Sequence, residues 1–515
     1  MPKNVVLFIA GLIILVGVFA FFNDAKKHIE LTNFPPALPS RVAPLADGEL
    51  YEMRAGYVVK EMNGKNMKML AYNGMIPGPT LRVKEGALVS VRFTNDMDMP
   101  TLLHAHGVRM ENKFDGSQAV QKDIAPGETF DYALRLDDPG VMWYHPHVRE
   151  DIQQNLGLYG NFLVVPNDSG YWPPADHEET LFLSDLLIED GDIAPYSDDY
   201  ITHALMGRFG NVLLVNGETA HTITGEPGEV HRLYITNAAT VRPFNFRVAG
   251  AKMKLVGGDN GRHEKETFVE SVVLSPSERA IVDVYFPEEG VYALEHVVPG
   301  GKTYALGVAN ISGARVDQAN ASFETLRTDG QFAGLSAYLA AAPEKYIRLT
   351  VAWDMAKVMS MMTGVDDHAR GGDAMGVMMP HTVAPIEWED TMGDMNTFST
   401  SETVKWIIRD GETGKENMDI SWNFARGDLV KIRIVNDAAS AHPMQHPVHF
   451  HGNRFVVLAV NGVPNDNMAW KDTTLIKTGD TVDVLLDTSN PGLWMAHCHI
   501  AEHLHSGMMF TYRVE

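Results

Sequence analysis

Hydrophobic and polar positions alternate along most of the chain in short runs such as Leu88-Val89-Ser90-Val91-Arg92-Phe93, and turn signals such as Pro77-Gly78-Pro79 and Pro126-Gly127 break them up. A period of two predicts half-buried strands, and unbroken apolar runs such as Phe162-Leu163-Val164-Val165 predict strands covered on both faces. The spacing predicts an all-β chain of sandwiches or barrels with no βαβ units. The N-terminus differs. Val5 to Phe22 is uninterrupted hydrophobic sequence, flanked by Lys3 and by Lys26-Lys27, and reads as a hydrophobic helix. It fits an uncleaved membrane anchor or a signal segment. Val18-Phe19-Ala20 resembles a cleavage site, but the Phe pair after it disfavours cutting, and either reading exports the rest of the chain. The expected location is membrane-anchored and facing the periplasm or cell exterior, or secreted if the segment is removed.

A loose internal repeat divides the remainder of the chain. Val89–Asn95 is echoed by His231–Asn237 and Val430–Asn436, each a strand ending in Asn. The expected layout is a hydrophobic segment at 1–23, a proline-rich linker at 24–46, and three units at 47–168, 169–335 and 336–515. Only the first and third copies run on into histidine clusters, so the middle unit reads as a spacer without metal ligands.

Composition narrows the chemistry. The 515 residues carry 42 basic and 66 acidic side chains, a formal charge of -24, which repels phosphate backbones and argues against nucleic acid as a partner. One cysteine, Cys498, excludes an internal disulfide and stands in His497-Cys498-His499. With His503 five residues on and Met508 ten residues on, it offers the His, Cys and weak Met ligands of a blue-copper site. A second imidazole is needed. His446 is three residues before His449, and an extended chain turns it to the opposite face, toward the thiol.

Of five His-x-His pairs, four stand in or beside strand-like runs, at 104/106, 145/147, 449/451 and 497/499. Residues two apart on a strand share a face and lie roughly 6.5 Å apart, a spacing suited to two neighbouring ions. The four pairs can supply eight imidazoles to a metal cluster. In 497–499 the same alternation points the thiol to one side and both imidazoles to the other, so one strand touches two sites.

On these motifs, and on Asn73-Gly74-Met75-Ile76-Pro77-Gly78-Pro79-Thr80, the chain resembles the three-domain multicopper oxidases, the family of laccases and copper-efflux oxidases, from about residue 45 to its end. The resemblance implies three cupredoxin-like Greek-key β-sandwich domains and four copper ions. It implies a type 1 copper on His446, Cys498, His503 and axial Met508. Type 2 copper takes His104 and His449, and the type 3 pair divides into His106, His145 and His499 on one ion and His147, His451 and His497 on the other. A reductant is then oxidised one electron at a time at type 1 copper, and O2 is reduced by four electrons to water at the trinuclear cluster. Asp115 resembles the family's acidic residue near that cluster and is the candidate proton relay; as a residue before Gly116 it also reads as a turn Asp. Some bacterial relatives place a second acid directly after the position of His503, where this chain has Leu504. Glu502 is no obvious stand-in.

Between Met355 and Met395 lie nine of the 27 methionines, Met355, Met359, Met361 and Met362 among them. Thioethers are soft ligands that suit Cu(I), and copper-efflux oxidases carry a comparable insertion; a flexible apolar cover is the plainer alternative. Met444 occupies a position that in those enzymes supplies a ligand to substrate copper, and His442 replaces their acid. Cu(I) is therefore the favoured reductant, with Fe(II) as a further metal substrate. A laccase-like oxidase of phenols or amines is the alternative. A copper-sequestering protein without turnover is a third reading, and copper nitrite reductase is disfavoured by the complete eight-histidine set. His177, His203, His221, His263 and His296 have no partner at metal-ligand spacing and read as structural or solvated.

Overall fold

The computed structural model describes residues 31–316, 319–358 and 384–515. The apolar run Val5–Phe22 and the core of the methionine-rich stretch lie outside the described residues. Among the described residues no helix is long and apolar enough to cross a membrane.

The alternation becomes strands arranged in three successive pairs of sheets. The first pair joins a four-stranded sheet, with Leu50–Met62 beside Ala87–Asn95, to a five-stranded sheet that holds His104–His106 and Gly140–His145. The second pair has six and five strands, and so does the third. Each pair repeats one motif. Leu50–Met62 runs parallel to Ala87–Asn95, His177–Leu186 to Val230–Asn237, and Lys345–Trp353 to Leu429–Asn436.

The terminal Asn of each repeat has a physical task. Asn95 Nδ2 donates to the carbonyls of Met99 and Ile124, Asn237 Nδ2 to those of Arg242 and Leu274, and Asn436 Nδ2 to those of Met444 and Ile476. All three are buried, so an amide at that point satisfies two carbonyls where the chain leaves the strand. In the third copy this pins Met444, two residues before His446.

Burial follows the pattern only in part. Ala87–Asn95 alternates as the sequence predicts, but Gly140–His145 and Val230–Asn237 are buried on both faces. The reason is contact between units: Val141 and Leu163 of the first pack against Tyr234, Val256 and Ile281 of the second. A larger apolar cluster runs from the first pair of sheets into the third. It brings the early histidine pairs to the late ones.

Candidate metal centre

Strand Gly492–Cys498 carries the chemistry. It pairs antiparallel with His446–Phe450, placing Val448 opposite Cys498 and His449 opposite His497. The turn after it becomes the short helix Ala501–His505, which returns His503 to the thiol. Cys498 Sγ lies 3.5 Å from His446 Nδ1 and 3.7 Å from His503 Nδ1, and the two nitrogens are 3.3 Å apart. All three side chains are buried. Met508, also buried, is tied in through its backbone: its carbonyl accepts from Cys498 N at 3.1 Å and its N–H donates to the His503 carbonyl at 3.0 Å.

This trio is braced from outside. His503 Nε2 donates to the Leu205 carbonyl at 3.3 Å, which fixes the tautomer and leaves Nδ1 to face the sulfur. The Trp406 ring stacks on His503 at 4.0 Å and meets His446 at 4.8 Å, and its Nε1 donates to the Ala204 carbonyl. Burial pushes the Cys498 thiol up and His446 down to about 3. A neutral imidazole is a ready ligand, whereas the thiolate needs a cation beside it.

On the other side of the strand, all eight histidines of the four pairs converge. Adjacent rings stand within a few ångströms; His106 and His449 stack at 3.7 Å, and His451 Nε2 faces His497 Nε2 at 2.9 Å. Ligand atoms of His147, His451 and His497 form one potential metal triad, and those of His104, His106 and His145 another. Burial drives seven of these rings toward the neutral form, with neighbouring imidazoles adding to the effect in most.

The hydrogen bonds show which nitrogen each ring presents. His104 Nδ1 donates to the Asp115 carbonyl at 2.6 Å, His449 Nδ1 to the Asp472 carbonyl at 2.8 Å, and His497 Nδ1 to the Cys498 carbonyl at 2.9 Å. His451 Nδ1 bonds the Asp115 carboxylate at 3.0 Å, while His147 Nδ1 lies 3.2 Å from Glu150 Oε1. His106 is reversed: its Nε2 donates to Asp472 at 2.8 Å, so Nδ1 points inward. The inward nitrogens of His104, His106, His145, His147, His449 and His499 have no hydrogen-bond partner among the described residues. Six buried lone pairs aimed at one space cost several kcal/mol unless they hold cations. The donor set therefore fits copper.

Several of these braces were not visible in sequence. Asp472, and Arg279 whose guanidinium donates to the Asp472 carboxylate, stand 366 and 173 residues from His106 and carry no local signal. Glu150 does have one, since it follows His147 at i+3. Its second oxygen accepts from His505 Nε2 at 2.5 Å, so an acid reaches the cage from the first unit although Leu504 is apolar. Glu502 is elsewhere: its Oε1 accepts from Arg208 N at 3.1 Å. Asp115 is fully buried against His451 and is more than a turn residue.

The substrate-side residues are placed unevenly. His442 is half-buried, its ring 6.2 Å from Trp406, and Met444 is fully buried. Met355 is exposed just after strand Lys345–Trp353, and Met359, Met361 and Met362 lie outside the described residues.

Comparisons with known proteins identify the family. Multicopper oxidase family profiles match residues 55–169, 177–313 and 388–515. The chain is 25% identical to the multicopper oxidase MmcO of Mycobacterium tuberculosis, covering 87% of this chain and 83% of that one. It is 25% identical to a multicopper oxidase of Staphylococcus aureus over 96% and 94%. The structure of a Campylobacter jejuni multicopper oxidase described as a metallo-oxidase superposes with a TM-score of 0.68 at 24% identity, covering 95% of this chain and 98% of that one. The chain belongs to the multicopper oxidase family and is a copper-dependent oxidoreductase that uses O2 as acceptor.

Proposed function

We propose that the enzyme oxidises Cu(I) and, more slowly, Fe(II), and that it does so outside the cytoplasm behind its hydrophobic N-terminal segment. The observation that carries this reading is a clamp beside the Cys498 site. Where the chain returns from the methionine-rich stretch, Glu387 N donates to Gln445 Oε1 at 2.8 Å and Gln445 Nε2 donates back to the Glu387 carbonyl at 3.1 Å. Gln445 stands between Met444 and His446. The shoulder of a thioether-rich segment is thus fastened to the residue next to a ligand of the electron-accepting site, and His442 lies alongside. Further along, Asn396 and Ser399 bind the backbone of Met206 and Leu205, the loop that braces His503.

In this reading the units at 47–168 and 336–515 hold the metal and the unit at 169–335 spaces them. Four copper ions are assigned: His446, Cys498, His503 and Met508 hold type 1; His104 and His449 hold type 2; the sets His106, His145, His499 and His147, His451, His497 hold the type 3 pair. When bound, copper supplies one-electron oxidation at the thiolate site and four-electron reduction of O2 to water at the histidine cage.

The protein's part is positional. Cys498 joins its sulfur covalently to the backbone of both His497 and His499, so one continuous covalent path links the two sites. Burial of the cage keeps bulk water out. To Asp115, whose carboxylate sits 3.0 Å from His451 Nδ1, we assign the holding and passing of a proton at the cage wall.

The test compares Cu(I), Fe(II) and a phenol by O2 uptake at equal copper loading, with and without residues 359–383. Cu(I) is expected to show the highest kcat/KM and to lose most on deletion. A phenol with much the highest kcat/KM, rising further on deletion while Cu(I) oxidation is unharmed, establishes the laccase-like alternative instead. No O2 uptake by fully loaded protein leaves only copper sequestration.

A further inference from the structure

The middle unit, which supplies none of the eight cage imidazoles, contains its own cluster of metal-ligating side chains. Strands His177–Leu186 and Val230–Asn237 run parallel with His177 directly opposite His231. Their rings stand 4.7 Å apart. With a side-chain period of two, Glu179 shares the face of His177, and Glu229 that of His231. One carboxylate ties the imidazoles together: His177 Nε2 lies 3.1 Å from Glu229 Oε1, and His231 Nε2 lies 3.2 Å from Glu229 Oε2. In a Zn(II) shell with metal–ligand bonds near 2.0–2.2 Å, neighbouring donor atoms are roughly 3.3 Å apart. Local spacing offers these histidines no partner, because only the strand register brings residues 54 positions apart face to face.

The surroundings are built to hold the trio. Glu226 N donates to Glu229 Oε2 at 2.7 Å and fixes the carboxylate. The His231 ring is fully buried, meets Phe286 edge-on at 5.1 Å, and turns its Nδ1 toward Glu179 Oε1 at 3.6 Å. That nitrogen has no hydrogen-bond partner among the described residues and lies just beyond hydrogen-bond reach of Glu179, so a small turn of the ring on metal binding brings in the carboxylate that orients a ligating histidine from its far nitrogen. Gly225 leaves the space: a Cβ there would come within 2.6 Å of His231 Nε2 and 2.7 Å of Glu229 Oε2. His177 is half exposed and gives an ion a way in.

We propose that His177, Glu229 and His231 form a divalent-cation site of the Zn(II) class, separate from the copper centre, with Glu179 positioning His231. Two borderline imidazole nitrogens and one carboxylate oxygen are a donor set suited to Zn(II), and an exposed fourth position remains for water. On binding, both Nε2 atoms give up their hydrogen bonds to Glu229 and each ring proton moves to Nδ1, which in His231 faces Glu179.

The test adds Zn(II) to copper-loaded full-length protein dialysed free of loosely held ions, and measures bound zinc by equilibrium dialysis with metal analysis. Wild type is expected to take up one Zn(II) that raises Tm. His177→Ala weakens it by more than tenfold and Glu179→Gln by about tenfold, without loss of copper or blue absorption. Glu178→Gln, on the opposite face, leaves affinity unchanged. Equal zinc affinity in wild type and His177→Ala overturns the proposal, as does wild type that binds no zinc. Co(II) gives a second readout: intense visible absorption in wild type that His177→Ala loses supports the site, and weak octahedral absorption in both opposes it.

Discussion

Arg279 of the middle sheets and Asp472 of the third form a fully buried bidentate pair, Nη1 to Oδ1 at 2.7 Å and Nη2 to Oδ2 at 2.5 Å, and the same Oδ1 accepts from His106 Nε2 of the first unit at 2.8 Å. Three units meet at one carboxylate. Arg279 Nε also donates to the Val141 carbonyl at 3.0 Å. Burial alone would push Asp472 up, but the guanidinium outweighs it and holds the acid well below its usual range. The middle unit thus braces, through Asp472, a cage histidine to which it does not itself hydrogen-bond.

Arg279→Met removes one partner of this pair and leaves a buried charge. Loss of about 3–5 kcal/mol in stability is expected, with copper lost preferentially from the cage while the blue band of the Cys498 site survives. Denaturant unfolding and metal analysis check this; equal loss of blue absorption and cage copper would show general unfolding instead.

Cys498→Ser removes the thiolate and the shared backbone link to both sites remains. Blue absorption and substrate-driven O2 uptake should disappear together, with cage copper retained. A colourless variant with full oxidase activity refutes the assignment of Cys498.

Asp115→Asn keeps an oxygen to accept from His451 Nδ1 but cannot give up a proton. A fall of about 10²-fold in kcat is expected, with little change in the rate at which substrate bleaches the blue band anaerobically. Stopped-flow bleaching and steady-state O2 uptake separate the two. Equal slowing of both places the effect outside proton transfer.

Two histidines away from the copper ligands predict acid sensitivity. Burial, with nearby Lys471 for His263 and Arg242 for His296, lowers both to about 4. The unfolded chain protonates them near 6.5, so it binds more protons between pH 6.5 and 4, and stability falls as pH drops through that window. Each group removes on the order of 3 kcal/mol by the foot of that window and nothing above pH 7. The slope of Tm against pH in that window should flatten in His263→Gln and His296→Gln; unchanged slopes would remove both groups from the account.

Local pattern made the strands and the candidate metal-ligating side chains legible. Alternation marked Ala87–Asn95, a repeated Asn marked three strand ends, and the strand period explained how Cys498 and its flanking histidines face opposite ways. These features depend on residues a few positions apart, where backbone geometry alone dictates direction. The braces did not show. Arg279 and Asp472 are 193 residues apart, and His177 and His231 are 54 apart on paired strands. The sequence by itself determined which side chains can bind metal and which way each turns from its strand. Only the tertiary structure decided which nitrogen of each ring faces inward, which acid supports it, and how the middle unit braces His106 through Arg279 and Asp472. Those choices are made by strand register and by packing between units, which place groups far apart in the chain at hydrogen-bond distance.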